Sequence, residues 1–216
     1  MFSVKRHTGP CAMGVDVGKV KHVVIGTRRA DGKYEIVRAM RPVKGPGAWD
    51  EMLKLIRDYN IRSAVVDIRP YEDEARTFQQ RALKQGCKVF LCVYTENSTV
   101  ESNFNNDTGV VKAHRTGIFD QTHRLLSDGD MVLPSRSPEI DEFIRQCCNC
   151  AKFEEKDKRK NTMVYRYRPT GDGQEHFRNA LNYLILSAKG GRVATVKTGR
   201  SKRQTHAKRE SSLFSH

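Results

Sequence analysis

The sequence predicts an α/β protein: a mixed β-sheet flanked by helices, with an added β-hairpin. Three observations lead there. Residues 13–17, 20–27 and 34–40 are apolar runs separated by tight turn signals, which reads as three sequential antiparallel strands. Segments 47–60 and 71–86 carry apolar residues at helical spacing and alternate with β-branched runs, so strand and helix then follow each other. Residues 152–169 place strand-forming residues on both sides of a highly charged tip.

Taken in order, GVDVGKVKHVVIG (Gly14 to Gly26) breaks into two strands at Val-Gly-Lys, and the third strand, Tyr34 to Met40, follows the turn Ala-Asp-Gly-Lys. In GAWDEMLKLIRDYN, Trp49, Met52, Leu53 and Ile56 recur at i, i+3, i+4 and i+7, the stripe of an amphipathic helix. SAVVDIRP is a short strand ending at Asp67. YEDEARTFQQRALKQG has acids in its first turn, a stripe of Ala75, Phe78 and Ala82, and Gly86 as its stop. Lys88 to Tyr94 is a further strand. The polar, Asn-rich stretch at 96–110 reads as a long surface loop. Ala113 to Ser127 reads as a helix through Ile118, Phe119, Thr122, Leu125 and Leu126; DGDMVLP as a short strand; Pro138 to Cys147 as another helix. The last helix shows Phe177, Ala180, Leu181, Leu184 and Ile185 on one face and stops at Gly190 and Gly191. These elements divide the chain into an N-terminal extension (1–11), one folded domain (12–188) and a basic flexible tail (189–216), with no internal repeat.

The 216 residues carry a formal net charge of +14, which points to a polyanionic partner, most simply nucleic acid. From Lys189 onward eight bases face one acid, about half of the net charge, and this tail is expected to add non-specific affinity. No apolar run approaches the roughly 20 residues of a membrane span, and the N-terminus lacks the apolar core of a signal peptide, so an intracellular, non-membrane protein is expected. Of the six cysteines, Cys147, Cys148 and Cys150 invite a zinc reading. No second ligand pair accompanies them, and reduced thiols are expected instead.

Asp16 is the residue that demands explanation. A charge inside a strand is costly unless a cation or metal compensates it. Asp67 lies at the C-terminal end of a strand, where α/β sheets place their ligand sites. Asp172, Glu175, His176 and Asn179 stand near the start of the last helix. Two strand carboxylates with ligands from a late helix make the layout that holds two divalent cations for phosphoryl transfer. Oxygen ligands suit Mg²⁺ or Mn²⁺, and an imidazole tilts the preference toward Mn²⁺. Plainer roles stand beside these: Asp67 pairing with Arg69, His176 as a surface histidine, Asp172 as a helix-start residue.

The order of elements resembles the RNase H-like nuclease fold. More closely, GVDVGK, AVVDIRP, AHRTGIFDQTHRLLSDGDMVLP and EHFRNALNY resemble the nuclease domain of the large terminase subunit of tailed bacteriophages, over roughly residues 12–188. Glu175, His176, Asn179, Ala180, Leu181 and Tyr183 carry the most specific match, although Asn179 stands where many relatives have Asp. The resemblance implies a metal-dependent endonuclease that cuts concatemeric double-stranded DNA during packaging, with little sequence preference. Asp16, Asp67 and His176 would be catalytic: Asp16 would bridge two ions, Asp67 would hold one, and His176 with Glu175, supplemented by Asp172, would hold the other. Lys19, Lys21 and the hairpin-tip residues Lys156, Lys158, Arg159 and Lys160 would contact DNA. The chain has no GxxxxGK[ST] motif, so the resemblance implies an isolated nuclease domain in the host-cell cytoplasm, partnered by an ATPase motor, a portal and a small terminase subunit. Two other readings are a Holliday-junction resolvase of the same superfamily and a catalytically silent DNA-binding or motor-docking module.

Overall fold

The computed structural model describes residues 7, 9–42, 45, 47–96, 102–157, 161–171 and 173–190. The expected tail beyond Gly190 lies outside the described residues, as do Asp172, Lys158, Arg159 and Lys160.

The apolar runs at the start form an antiparallel meander of β1 (Cys11–Asp16), β2 (His22–Arg28) and β3 (Tyr34–Met40). Helix α1 (Gly47–Asp58) buries Trp49, Met52, Leu53, Leu55 and Ile56 and leads to β4 (Ile61–Asp67), parallel to β1. Helix α2 (Glu72–Lys84) buries Ala75, Phe78 and Ala82 and leads to β5 (Lys88–Thr95), parallel to β4. The central strand order is therefore β3-β2-β1-β4-β5. The fold is RNase H-like.

The segment expected to be a long loop contains β6 (Ser102–Asn105), which pairs antiparallel with β7 (Val110–His114), itself parallel to β5. The helix expected from Ala113 begins two residues later, as α3 (Arg115–Ser127), with the His114 imidazole accepting the Gly117 N–H at 3.2 Å. Composition hid these strands because only alternate residues are apolar. Phe104 sits edge-on to Phe90, Val111 and Ala113 enter the core, and the polar residues between them face out. Asn105 makes the turn by accepting the N–H groups of Asp107 and Thr108.

A two-residue strand β8 (Met131–Val132) pairs with β3 and completes an eight-stranded sheet. Helix α4 (Pro138–Cys148) opens with Pro138 behind the capping Ser137, whose hydroxyl accepts the Ile140 N–H. The charged hairpin is present as β9 (Cys150–Asp157) and β10 (Thr162–Pro169), a separate two-stranded sheet. Helix α5 (His176–Gly190) closes the described chain.

Helices α1 and α2 cover one face of the large sheet, over Met13, Val15, Ile25 and Val66. On the other face lies α5, with α3 and α4 outside it. Between Phe177 and Ser187 every α5 residue except Asn179 is buried, as expected of a helix enclosed between layers. Arg178, 1% exposed, donates to the carbonyls of Cys147 and Phe119 at 3.0 Å each and lies over the Phe119 ring, tying α4 and α3 to α5. Among the described residues, no helix is long and apolar enough to cross a membrane.

Gly14 sets how closely α5 approaches β1. A Cβ at this position would lie 2.0 Å from the Ala180 carbonyl oxygen and 2.2 Å from the Leu184 nitrogen, both backbone atoms with nowhere to move. Gly14→Ala is therefore expected to destabilise the fold by about 3 kcal/mol or more, as overpacking against backbone does. Urea denaturation checks this, and a change below about 0.5 kcal/mol, the scale of an unconstrained surface substitution, would refute it.

Candidate metal centre

Strand alternation decides which side chains meet. On β1, Met13 and Val15 point to the α1/α2 core, so Gly14 and Asp16 face α5. On β2, Val23 and Ile25 take the first face, and His22 and Val24 the second. On β4, Ala64 and Val66 take the first, and Val65 and Asp67 the second. Asp16 pairs in register with His22 across the β1–β2 turn. Asp67 follows Val66, the register partner of Val15. One end of the α5 face thus collects Asp16, His22 and Asp67, and α5 begins above them with His176.

Asp16 is 7% exposed, and its Oδ2 lies 3.0 Å from Nδ1 of His176. Burial raises the Asp16 pKa, while the hydrogen bond and charge of His176 pull it back down. The same hydrogen bond raises the pKa of His176. His22 is 4% exposed and stacks on His176, with ring centres 4.8 Å apart and planes 16° from parallel, and it makes a T-shaped contact with Phe177 at 4.8 Å. Burial, then the charges of His176 and Arg41, push the His22 imidazole down to about 4, so it is neutral at ordinary pH. Its Nδ1 is buried and has no partner in hydrogen-bonding geometry; the Val20 backbone offsets the shift only in part.

Asp67 is half-buried, and burial raises its carboxyl to about 6. The negative charge of Asp16 adds to the rise; the backbone N–H of Arg69, donating at 3.1 Å, and a hydrogen bond with the Tyr183 side chain oppose it. The bond with Arg69 is thus made by its backbone. Tyr183 is itself fixed by stacking on Tyr94.

The residues fit a divalent cation. One oxygen or nitrogen atom from each of Asp16, His22 and His176 lies within 4.8 Å of the others, and His22 brings a buried, unpaired ring nitrogen. The group can hold a metal ion. Among the described residues it is the only such cluster, and Cys147, Cys148 and Cys150 do not form one. Glu175, expected as a supplementary ligand, gives one oxygen to Arg115 at 2.7 Å; its other oxygen is buried without a partner, as is Oδ1 of Asn179. Arg115 also donates to the Tyr167 carbonyl at 2.7 Å, which anchors the hairpin beside the helix start.

No protein-family model matches the chain, and no curated protein matches its sequence. Among solved structures, the yeast mitochondrial Holliday junction resolvase Ydc2 superposes with a TM-score of 0.40 at 6% identity, over 87% of this chain and 85% of that one. A likeness at this level says nothing about chemistry.

The expected DNA contacts divide. Lys19 is exposed beside the site, and Lys156 is exposed on the hairpin. Lys21 is corrected: it is 7% exposed, with its ammonium 4.7 Å from the Trp49 ring centre and 5.3 Å from that of Tyr71. An ammonium sheltered under two aromatic faces is not presented to a duplex. His22 was the residue the sequence reading missed. The available signal was a polar residue opening an apolar strand, opposite Asp16 once the turn between them is closed tightly.

Asp67 and His22 make opposing contributions to pH dependence. Asp67 rises from 3.8 to about 6, so its contribution to stability is full below 3.8 and is lost as pH rises through 6. His22 falls from 6.5 to about 4, so its contribution is full above 6.5 and is lost as pH falls through 4. Asp67→Asn, measured in EDTA, is therefore expected to gain up to about 3 kcal/mol on wild type between pH 4 and pH 7. A stability difference that does not vary with pH would contradict the raised Asp67 pKa.

Proposed function

We propose that this chain is a divalent-metal-dependent nuclease that hydrolyses phosphodiester bonds of DNA. The observation that carries the reading is the convergence of Asp16, Asp67, His22 and His176 on one face, at one end of a sheet whose chain is strongly basic. Asp16, His22 and His176 would hold the cation. Two imidazoles and one carboxylate favour Mn²⁺ or another transition ion over Mg²⁺. A cation bound there would supply a polarised phosphoryl oxygen and a water of lowered pKa.

The chain's own groups do the rest. Asp67, with a carboxyl at about 6 and hydrogen bonds from Arg69 N–H and the Tyr183 side chain, would accept the proton of an attacking water near neutral pH. Phe177 closes one side of His22 and holds the ring in place. Exposed Lys19, on the cavity that adjoins the metal group, would meet a backbone phosphate of the bound strand.

The finer reading is a terminase-type nuclease domain that cuts concatemeric viral DNA in the host cytoplasm, working with an ATPase motor, a portal and a small terminase subunit. Its support is the sequence resemblance over GVDVGK, AVVDIRP and EHFRNALNY. A junction-resolving nuclease is the second reading. What favours it is the hairpin, which exposes Phe153, Met163 and Tyr165, apolar side chains able to pack on base pairs that a branch point leaves unstacked.

Supercoiled plasmid incubated with Mn²⁺, Mg²⁺ or EDTA tests the nuclease reading. Metal-dependent nicking is expected, slowed by about a hundredfold or more in Asp16→Asn, the scale of losing one preorganised charged group. DNA binding without cleavage in either metal would replace the nuclease with a silent binding module. Equal cleavage of linear duplex and four-way junctions would remove the resolvase reading. Calorimetric Mn²⁺ titration isolates the new ligand: His22→Ala is expected to weaken binding by about tenfold or more, and unchanged affinity would remove His22 from the centre.

A further inference from the structure

Next to the Asp16 group, a cavity of about 340 Å³ opens between the β1–β2 turn, the end of β3 and the start of α5. Lys19, Arg41, Gln174, His22 and His176 line it along with Gly18 and Val20. Lys19 and Arg41 bring two fixed positive charges, Gln174 an amide, and the histidines imidazoles. Among the described residues no carboxylate lines the cavity. Arg41 spends one nitrogen on Glu142 at 2.9 Å, and a guanidinium has five N–H donors in all, so the pair leaves donors over. His22, 4% exposed, forms part of the cavity's inner wall.

We propose that this cavity is a phosphate subsite that seats a nucleic-acid strand phosphate adjacent to the one cleaved. The assignment rests on the nuclease reading above. An ammonium and a guanidinium converging with neutral donors, without a carboxylate, select an anion with several acceptor oxygens. The volume exceeds what one tetrahedral oxyanion fills, and it accommodates a phosphate together with part of its sugar. The inner wall is shared with the metal group through His22 and His176, so a phosphate held at Lys19 and Arg41 would neighbour a phosphate facing Asp16. The cavity therefore fixes the register of the strand across the cleavage point, a task that contacts to the sugar-phosphate backbone perform without reading sequence.

The test uses the whole chain in EDTA at constant ionic strength, with ring C–H signals of His22 and His176 followed by NMR. Inorganic phosphate and the dinucleoside phosphodiester TpT are titrated separately. Saturable shifts of both rings with both probes are expected, with TpT the tighter. Lys19→Gln combined with Arg41→Gln is expected to weaken TpT binding by about tenfold or more, the scale of removing charge-assisted contacts. Lys84→Gln, which removes a charge from α2 on the opposite side of the sheet, is expected to change nothing. Absent shifts, or equal affinity in the double variant, would overturn the subsite. Binding of inorganic phosphate but not TpT would overturn its assignment to a strand phosphate. Plasmid cleavage lost in Asp16→Asn, with no phosphate binding in the cavity, leaves the nuclease standing and removes the subsite. TpT binding with no metal-dependent cleavage by wild type removes the nuclease and supports an anion site.

Discussion

The direct contact between the backbones of α5 and β1 at Gly14 is the constraint on which the site depends. With no Cβ between them, the helix lies close enough for its first residue, His176, to reach Asp16 at 3.0 Å. That contact answers the main electrostatic problem in the chain, a carboxylate on a buried strand, because a hydrogen bond to a charged group recovers part of the cost of removing it from water. Raising the helix by the width of a methyl group would separate the pair and leave Asp16 buried alone. The remaining contacts of α5 keep it down: Arg178 reaches carbonyls of both α3 and α4, and Gln146 of α4 accepts the Phe177 N–H at 2.9 Å.

The features readable from the sequence were those encoded by period. Apolar runs parted by tight turns gave the meander, 3.6-residue stripes gave the helices, and a charged tip between strand formers gave the hairpin. Asp16 stood out because its neighbours were uniformly apolar. Strands β6 and β7 were hidden because their pattern is half polar and their partners are distant in sequence: Phe104 reads as a loop residue until Phe90 is placed beneath it. Lys21 and Lys19 look alike in the sequence, and only Trp49 and Tyr71, brought in by α1 and the start of α2, separate a caged lysine from an exposed one.

His22 illustrates a different limit. Its identity was visible, but its partner was set by register. A slip of one residue between β1 and β2 would send its side chain to the opposite face, among Val23 and Ile25, and remove it from Asp16. Periodicity does not fix register; turn length and packing do. The same holds for Glu175, whose place beside His176 in sequence marks it as a ligand, although Arg115 from the neighbouring helix claims one of its oxygens.

The composition of the centre bears on how a phosphodiester could approach it. In a site built from carboxylates alone, the ligand set repels the substrate until bound cations reverse the field. Here two of the three close donors are imidazoles, one of them neutral because it is buried, and Lys19 and Arg41 stand on the side facing solvent. Replacing a carboxylate by an imidazole removes a negative charge from the ligand set, which lessens repulsion of an incoming phosphate. It also weakens the hold on hard oxygen-seeking ions and strengthens the hold on ions that accept nitrogen. In the proposed nuclease, substrate attraction and metal choice would thus be coupled through His22: an imidazole in place of a carboxylate spares the approaching anion a repulsion, and the burial that keeps the ring neutral leaves a lone pair ready for a metal.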